Sequence, residues 1–355
     1  MPPLIHTFSV LGRKYVFDAN VNATISVSDE NWELAKQIEH GEKSLEADAL
    51  LSKYNEQGYF LSPNIKEIKN PQIDTHGIEL NRRLGKLTLQ VTQKCNLRCS
   101  YCVYSGMYNN RTHSLKSMNF DTAKRAIDYV LNRSVDINEL SFGFYGGEPL
   151  LELELIEKCI AYVKSVVAGK KVIFTITTNG TLLTTDVYER LEKHDVSIAI
   201  SIDGPQVVHD SARKYANGNG SYDDIMRNVL DIRKKYPEST DKLRFMAVLH
   251  PGVDTSCVPK LFSTDDILSR YKISMSFVSE QNTNERIVFS SELLDMYKLE
   301  WTKVFLFLLG KLKRDKVSPF LISGIPQIFM KYEQLRKMNP LPEVLHPGGP
   351  CLAGV

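Results

Sequence analysis

At 355 residues, 43% hydrophobic and 24% charged, the chain has enough apolar residues for a large core and reads as one big domain plus a smaller one. Its 44 Lys and Arg nearly cancel 42 Asp and Glu, and a net charge of +2 excludes a sequence-independent grip on nucleic acid, leaving a peptide or small molecule as the expected partner. The longest strongly apolar run, VFLFLLG from Val304, is far short of the roughly 20 residues a membrane span needs, and the amino terminus lacks a basic start followed by an uninterrupted apolar segment. A cytoplasmic location with reduced cysteines is the expectation.

Residues 1–70 read as a self-contained α+β module. IHTFSVLGRKYVFD alternates like a hairpin turning at Gly12–Arg13, and TISVSD reads as a further short strand. Asp29 is placed to cap a helix ending at Gly41, and Ser44 to cap a second ending at Gly58. The proline-containing, polar stretch that follows predicts a linker over 71–85.

From Lys86 the pattern changes to strand followed by helix, six times over. KLTLQVT, ELSFGFYGG, KVIFTITTNG, VSIAISIDG, LRFMAVLH and ISMSFVSE are the strand candidates. FDTAKRAIDYVLNR, LELIEKCIAYVKSVV, TDVYERLEKH and YDDIMRNVLDIRKKY are helical. Nearly continuous apolar strands alternating with helices predict an α/β fold over 86–285: a parallel sheet covered by helices, as either an open doubly wound sheet or a curved partial (β/α)6 barrel. In both, chemistry gathers at the carboxyl ends of the strands, and CNLRCSYC, GGEP, TTNGT and SIDGP each follow a strand there. Residues 286–355 read as a helical extension, with SELLDMYKLEWTKVFLFLLGKLK and IPQIFMKYEQLRK as its helices, ending in HPGGPCLAGV.

Half of the six cysteines, Cys95, Cys99 and Cys102, share the spacing CxxxCxxC on one loop after a strand. Soft thiolates so close together select zinc, copper(I) or an iron–sulfur cluster. Zinc requires a fourth ligand, for which His113 is the near candidate. Unliganded core thiols have no reason to share one loop, and a cubane with one iron left without a protein ligand is the leading reading.

CxxxCxxC after the first strand and GGEP after the second resemble the radical S-adenosylmethionine (SAM) superfamily, the likeness running from about Lys86 to Glu280. The resemblance implies a [4Fe-4S] cluster on the three cysteines, whose open iron is chelated by the amino and carboxylate groups of SAM. It also implies that Gly146 and Gly147 bring backbone close to the methionine part and that Glu148 supplies a carboxylate for its ammonium. SIDGPQVVHDSARKY is similar to radical SAM peptide and sulfatase maturases, which implies Ser201 at the SAM ribose, Arg213 near its carboxylate and Tyr101 supporting the nucleoside. Asp203 is expected to cap the following turn locally. Thr178 and Asn179 are placed on the reaction side of the barrel, among the expected SAM contacts, although an Asn-Gly turn also stands without a function. His194, His209 and His250 read as structural, Cys159 as core, Cys257 as a cysteine with no nameable partner and GNGSYDD as a turn.

The amino-terminal module resembles the winged-helix precursor-recognition element of peptide maturases, which implies a leader peptide adding a strand to the hairpin edge. HPGGPC resembles the start of the auxiliary-cluster (SPASM or twitch) region, which implies Cys351 as a first auxiliary ligand. The further cysteines of that region do not follow, so auxiliary clusters are expected only in a longer parent chain. Together the resemblances imply a maturase of a ribosomally made, cysteine-rich peptide that acts through a 5'-deoxyadenosyl radical. Thioether formation is the leading outcome, with formylglycine formation or carbon–carbon and ether crosslinking as rivals. An electron donor such as a flavodoxin or ferredoxin is the implied protein partner.

Overall fold

The computed structural model describes residues 2–10, 12–69, 75–105, 108, 112–237, 242–250, 291–317 and parts of 257–288 and 340–345. They fall into two compact units, the first built from residues up to 77 together with the described part of 340–345, the second from the described residues of 78–317.

In the first unit, β1 (Ile5–Val10), β2 (Arg13–Asp18) and β3 (Ala23–Val27) form an antiparallel sheet in that order. Arg13 pairs with Val10 and is the first residue of β2, so the turn ends at Gly12, whose φ of 78° suits glycine; the expected turn position one residue later is corrected. Ser28, not Asp29, caps α1 (Asp29–His40): Ser28 is extended and its Oγ accepts from the Asn31 N–H at 3.2 Å, while Asp29 already lies in the first turn. Ser44 caps α2 (Leu45–Glu56) as expected. The helices cover one face of the sheet, burying Ile5, Val16, Ala35, Ile38, Ala47, Leu50 and Phe60. A short parallel pair joins β4 (Glu67–Ile68) to β11 (Val344–Leu345).

The two edges of this sheet differ. On β1, the Thr7 N–H donates to Glu39 Oε2 at 3.0 Å and Thr7 Oγ1 to the same oxygen at 2.6 Å, so a helix carboxylate covers that edge. Because Thr7 points away from β2, its partner Val16 turns its own backbone groups toward β3, where it faces Ile25. Alternation along β3 then directs the N–H and C=O of Thr24 and Ser26 outward, and no backbone partner meets them among the described residues.

In the second unit, β5 (Lys86–Thr92), β6 (Glu139–Gly146), β7 (Lys171–Thr178), β8 (Val196–Ser201), β9 (Leu243–Leu249) and β10 (Lys272–Phe277) are all parallel. They pair strictly in chain order. A doubly wound sheet reverses its order at a switch point and this one does not, so of the two expected architectures the partial barrel holds. Between the strands run α4 (Phe120–Leu131), α5 (Leu153–Val166), α6 (Thr185–Glu192), α7 (Gln206–Ala212) and α8 (Tyr222–Lys235). Their apolar residues recur at helical spacing, as Ala123 and Ile127 on α4 or Ile225, Val229 and Ile232 on α8, and these share one core with Phe142, Phe144, Phe174, Ile198 and Phe245 of the sheet. Cys159 is fully buried in this core, as expected.

Three elements escape the sequence reading. Helix α3 (His76–Arg82) lies within the expected linker, a 3-10 turn over Pro149–Glu152 follows GGE, and α7 is too short for a periodic signal. Helix α9 (Ser291–Leu308) matches the first helix expected of the extension. Cys351 and the IPQIFMKYEQLRK segment lie outside the described residues. None of the described helices is long and apolar enough to cross a membrane.

Candidate active site

The cysteine loop leaves β5 at Thr92, just after a bulge in the β5–β6 ladder between Gln90 and Thr92. A bulge adds local twist and turns the departing chain out of the sheet. The loop is then clamped by the end of β6: the Gly147 N–H donates to Thr92 O at 2.8 Å and the Glu148 N–H to Lys94 O at 2.8 Å. A Cβ on Gly147 would lie 2.1 Å from Lys94 O, and one on Gly146, whose φ is 152°, 2.2 Å from Thr92 O. The absent side chains therefore make room for the loop's own carbonyls, while both glycines also line the cavity. On its other side the loop is held by the segment after α7, with the Arg98 N–H donating to Lys214 O at 2.7 Å and the Ser100 N–H to Ala212 O at 3.1 Å.

Glu148 is tied into the fold by its own hydrogen bonds. It is fully buried, its Oε1 accepts from Thr178 Oγ1 at 2.7 Å and from the Leu150 N–H at 3.0 Å, and its Oε2 from the Asn179 N–H at 2.7 Å. Burial pushes its pKa up to about 7 against these three donors. Its carboxylate thus orders the turn after β7. In the same turn Asn179 Nδ2 donates to Asn96 Oδ1 at 2.8 Å and Asn96 Nδ2 to Thr181 Oγ1 at 2.7 Å, tying the turn to the cysteine loop.

Asp203 does not act as a local cap. Fully buried, it accepts the Tyr101 hydroxyl and the Arg213 Nε–H (2.8 Å) on Oδ2 and the Val248 N–H (3.0 Å) on Oδ1, so one carboxylate joins the cysteine loop, the segment after α7 and β9. Burial alone would raise its pKa, but the Arg213 guanidinium outweighs this and holds it below the usual carboxylate range. Tyr101 lies between the Arg213 guanidinium, 5.4 Å from the ring centroid, and the His250 ring at 5.2 Å. His209 is structural, as expected: Nδ1 accepts the Asp203 N–H at 3.3 Å, so Nε2 carries the proton shared with Ser221 Oγ at 3.0 Å, and burial lowers its pKa to about 3.

Cys95, Cys99 and Cys102 line one cavity of about 320 Å³ at the carboxyl ends of the strands, together with Tyr101, Gly146, Gly147, Thr178, Asn179, Ser201 and Arg213. Every site residue expected of the barrel lines this cavity except Glu148. The sequence reading missed its outer wall, which includes Tyr108, Tyr145, Met246, Ser276 and Phe277. Burial raises the thiol pKa values, to about 11 at Cys95 and about 12 at Cys99, and raises that of Cys102 too. Bare thiols here stay protonated at neutral pH, and a metal centre is what favours three sulfur anions together. His113 packs on the Tyr104 ring at 5.9 Å, and among the described residues no three His, Cys, Asp or Glu side chains close around a single ion, as zinc would demand. Three thiols, glycine backbone, several hydroxyls and one arginine fit a site-differentiated iron–sulfur cluster with an amino-acid-bearing nucleoside beside it.

Residues 89–263 match the model of the Radical SAM superfamily. The chain carries a radical SAM domain. Enzymes of that family use a [4Fe-4S] cluster and SAM. The domain is 31% identical over 151 residues to a cysteine-type anaerobic sulfatase-maturating enzyme of Clostridium novyi, covering 42% of this chain and 40% of that one. It is 27% identical over 217 residues to the radical SAM cyclopropyl synthase TigE of Paramaledivibacter caminithermalis, covering 58% and 44%. An uncharacterized protein of Methanocaldococcus jannaschii is 40% identical over 150 residues, covering 42% and 49%. The matches thus span half or less of each relative's length. The radical SAM domain shares its fold with native anSMEcpe with bound AdoMet, at a TM-score of 0.51 and 20% identity over 70% of this chain and 67% of that one.

Two outcomes follow for this site. Gly147→Ala forces Cβ against Lys94 O, which is backbone and cannot rotate away; a loss of about 3 kcal/mol in the melting transition and of most bound iron after reconstitution is expected. Asp203→Ala leaves Arg213 buried beside no carboxylate, and thermal or urea unfolding is expected to register about 3–5 kcal/mol, with Asp203→Asn intermediate.

Proposed function

We propose that this radical SAM domain belongs to an enzyme that modifies a ribosomally made, cysteine-rich peptide, joining a substrate cysteine sulfur to another residue's carbon as a thioether. The observation that carries the reading is the convergence of three loop thiols, the Gly146–Gly147 backbone, Ser201 and Arg213 on one cavity. Cysteines 95, 99 and 102 would hold the cluster, which with SAM supplies the 5'-deoxyadenosyl radical. Of the N–H donors of Arg213, Nε–H goes to Asp203, so the Nη groups remain to meet the SAM carboxylate. Ser201 is taken as the ribose contact and Tyr101 as the nucleoside support.

Making C–S from C–H and S–H removes two hydrogen atoms' worth of electrons and protons. One hydrogen leaves with 5'-deoxyadenosine, and the remaining electron and proton need acceptors outside the described residues. The reductant that starts the cycle is taken to be a small flavodoxin or ferredoxin of the cytoplasm.

The open edge of β3 supports peptide recognition by strand addition, since Thr24 and Ser26 present backbone groups in the pattern a further strand requires. A second reading, oxidation of a cysteine or serine to formylglycine, is favoured by the sulfatase-maturating relatives, one of them a serine-type enzyme of Bacteroides thetaiotaomicron at 32% identity. That chemistry has no need of the amino-terminal unit. Crosslinks other than thioethers are the remaining outcome for the product.

Anaerobic reconstitution is expected to load four irons and four sulfides and, with dithionite and SAM, to release 5'-deoxyadenosine; the Cys95, Cys99 and Cys102 triple alanine variant is expected to do neither. A wild-type protein loading zinc alone overturns the reading. Thr24→Pro or Ser26→Pro removes one outward N–H without touching the β2–β3 ladder, so either is expected to weaken binding of a cysteine-rich precursor at least tenfold by fluorescence anisotropy, at unchanged melting temperature. Unchanged peptide affinity in both variants places recognition elsewhere and leaves formylglycine formation as the better reading.

A further inference from the structure

We propose that Asn179 is a redox-positioning residue, whose side-chain amide donates an N–H···S hydrogen bond to Cys95 and thereby sets the one-electron potential of the cluster. The inference rests on the reading that Cys95, Cys99 and Cys102 hold a [4Fe-4S] cluster. It gives Asn179 a task separate from the SAM contact expected of it.

The amide lies with Nδ2 3.8 Å from Cys95 Sγ, within the reach of an N–H···S bond. Its orientation is dictated by its neighbours. Oδ1 accepts the Thr181 N–H at 3.0 Å and the Thr181 hydroxyl at 2.7 Å, so the NH2 group must point the other way. One of its protons goes to Asn96 Oδ1 at 2.8 Å, and Asn96 Nδ2 closes the ring by donating to Thr181 Oγ1 at 2.7 Å. The other proton is left for the sulfur.

The turn beneath is fixed as firmly. The Asn179 N–H is held by buried Glu148 at 2.7 Å, Gly180 takes the φ of 80° that the bend requires, and Asn228 Nδ2 anchors Gly180 O at 3.0 Å and Thr181 O at 3.1 Å. Asn179 is 8% exposed, so water competes little for its amide. With the Leu97 N–H at 3.4 Å, Cys95 Sγ has two N–H donors.

Reduction adds an electron whose charge spreads onto the sulfurs, and a donor aimed at one of them binds the reduced state more strongly than the oxidised one. Donors to cluster sulfurs raise the potential for this reason. A turn after the third strand of the barrel is thereby wired to the cluster without being a ligand.

The test is an EPR-monitored potentiometric titration of the reconstituted protein without SAM, comparing wild type with Asn179→Asp and Asn179→Ala. Asp keeps an acceptor for Thr181 and replaces the donor with negative charge; Ala removes both. The midpoint is expected to move to more negative values in each, further for Asp, with four irons still bound. A midpoint unchanged in a fully loaded variant overturns the proposal. Failure of both variants to load four irons also overturns it, since Asn179 is then a clamp rather than a tuning residue. Wild-type protein that assembles no four-iron cluster counts instead against the radical SAM reading on which the inference stands.

Discussion

The site depends on a contact between two stretches of main chain. The carbonyls of Thr92 and Lys94 sit where the Cβ atoms of residues 146 and 147 would be, and two N–H groups of the following residues donate to those same carbonyls. Backbone has few ways to yield, so the loop that carries Cys95 inherits the rigidity of the central parallel sheet. Side chains on loops are ordinarily as mobile as the loop; here Cys95, the first of the proposed ligands, stands three residues beyond a strand that is locked to its neighbour. Such an arrangement meets the need for a preorganised ligand set that binds a cluster without being reshaped by it.

A second constraint works through charge. Asp203 and Arg213 are both buried, and such a pair is retained for what it positions more than for net stability. Here it positions an aromatic ring from within the cysteine motif and a guanidinium from a separate segment, and it does so from the carboxyl end of the next strand but two. Glu148 plays the parallel part for the turn after β7. Two carboxylates outside the cavity lining thus hold residues that line it.

The barrel was legible in the sequence because its strands are continuous apolar runs and its helices are strongly amphipathic. All six strands appear where the pattern puts them, and the four long helices between them do too. The location of chemistry at the strand ends was equally legible from CxxxCxxC, GGEP, TTNGT and SIDGP. What could not be read is how those motifs spend their polar atoms. Glu148 and Asp203 look like ligands or caps when only their neighbours in sequence are considered, and their true partners lie 30 and 45 residues away. Helix α7 and the 212–215 clamp were missed because seven residues carry too little periodicity. The aromatic wall of Tyr108, Tyr145 and Phe277 was missed because residues far apart in the sequence, one on a loop and two on separate strands, share no local signature. Asn96 and Thr181 had a faint signal: each stands beside a motif residue and is small and amide- or hydroxyl-bearing.

Among the described residues, the strands of the second unit pair in one unbroken series from β5 to β10, and the series ends at both. A closed barrel of eight strands can be approached only along its axis, through the mouth formed by its loops. A sheet with two free ends has a lateral seam as well. An open sheet of this kind can therefore be approached from the side as well as along its axis.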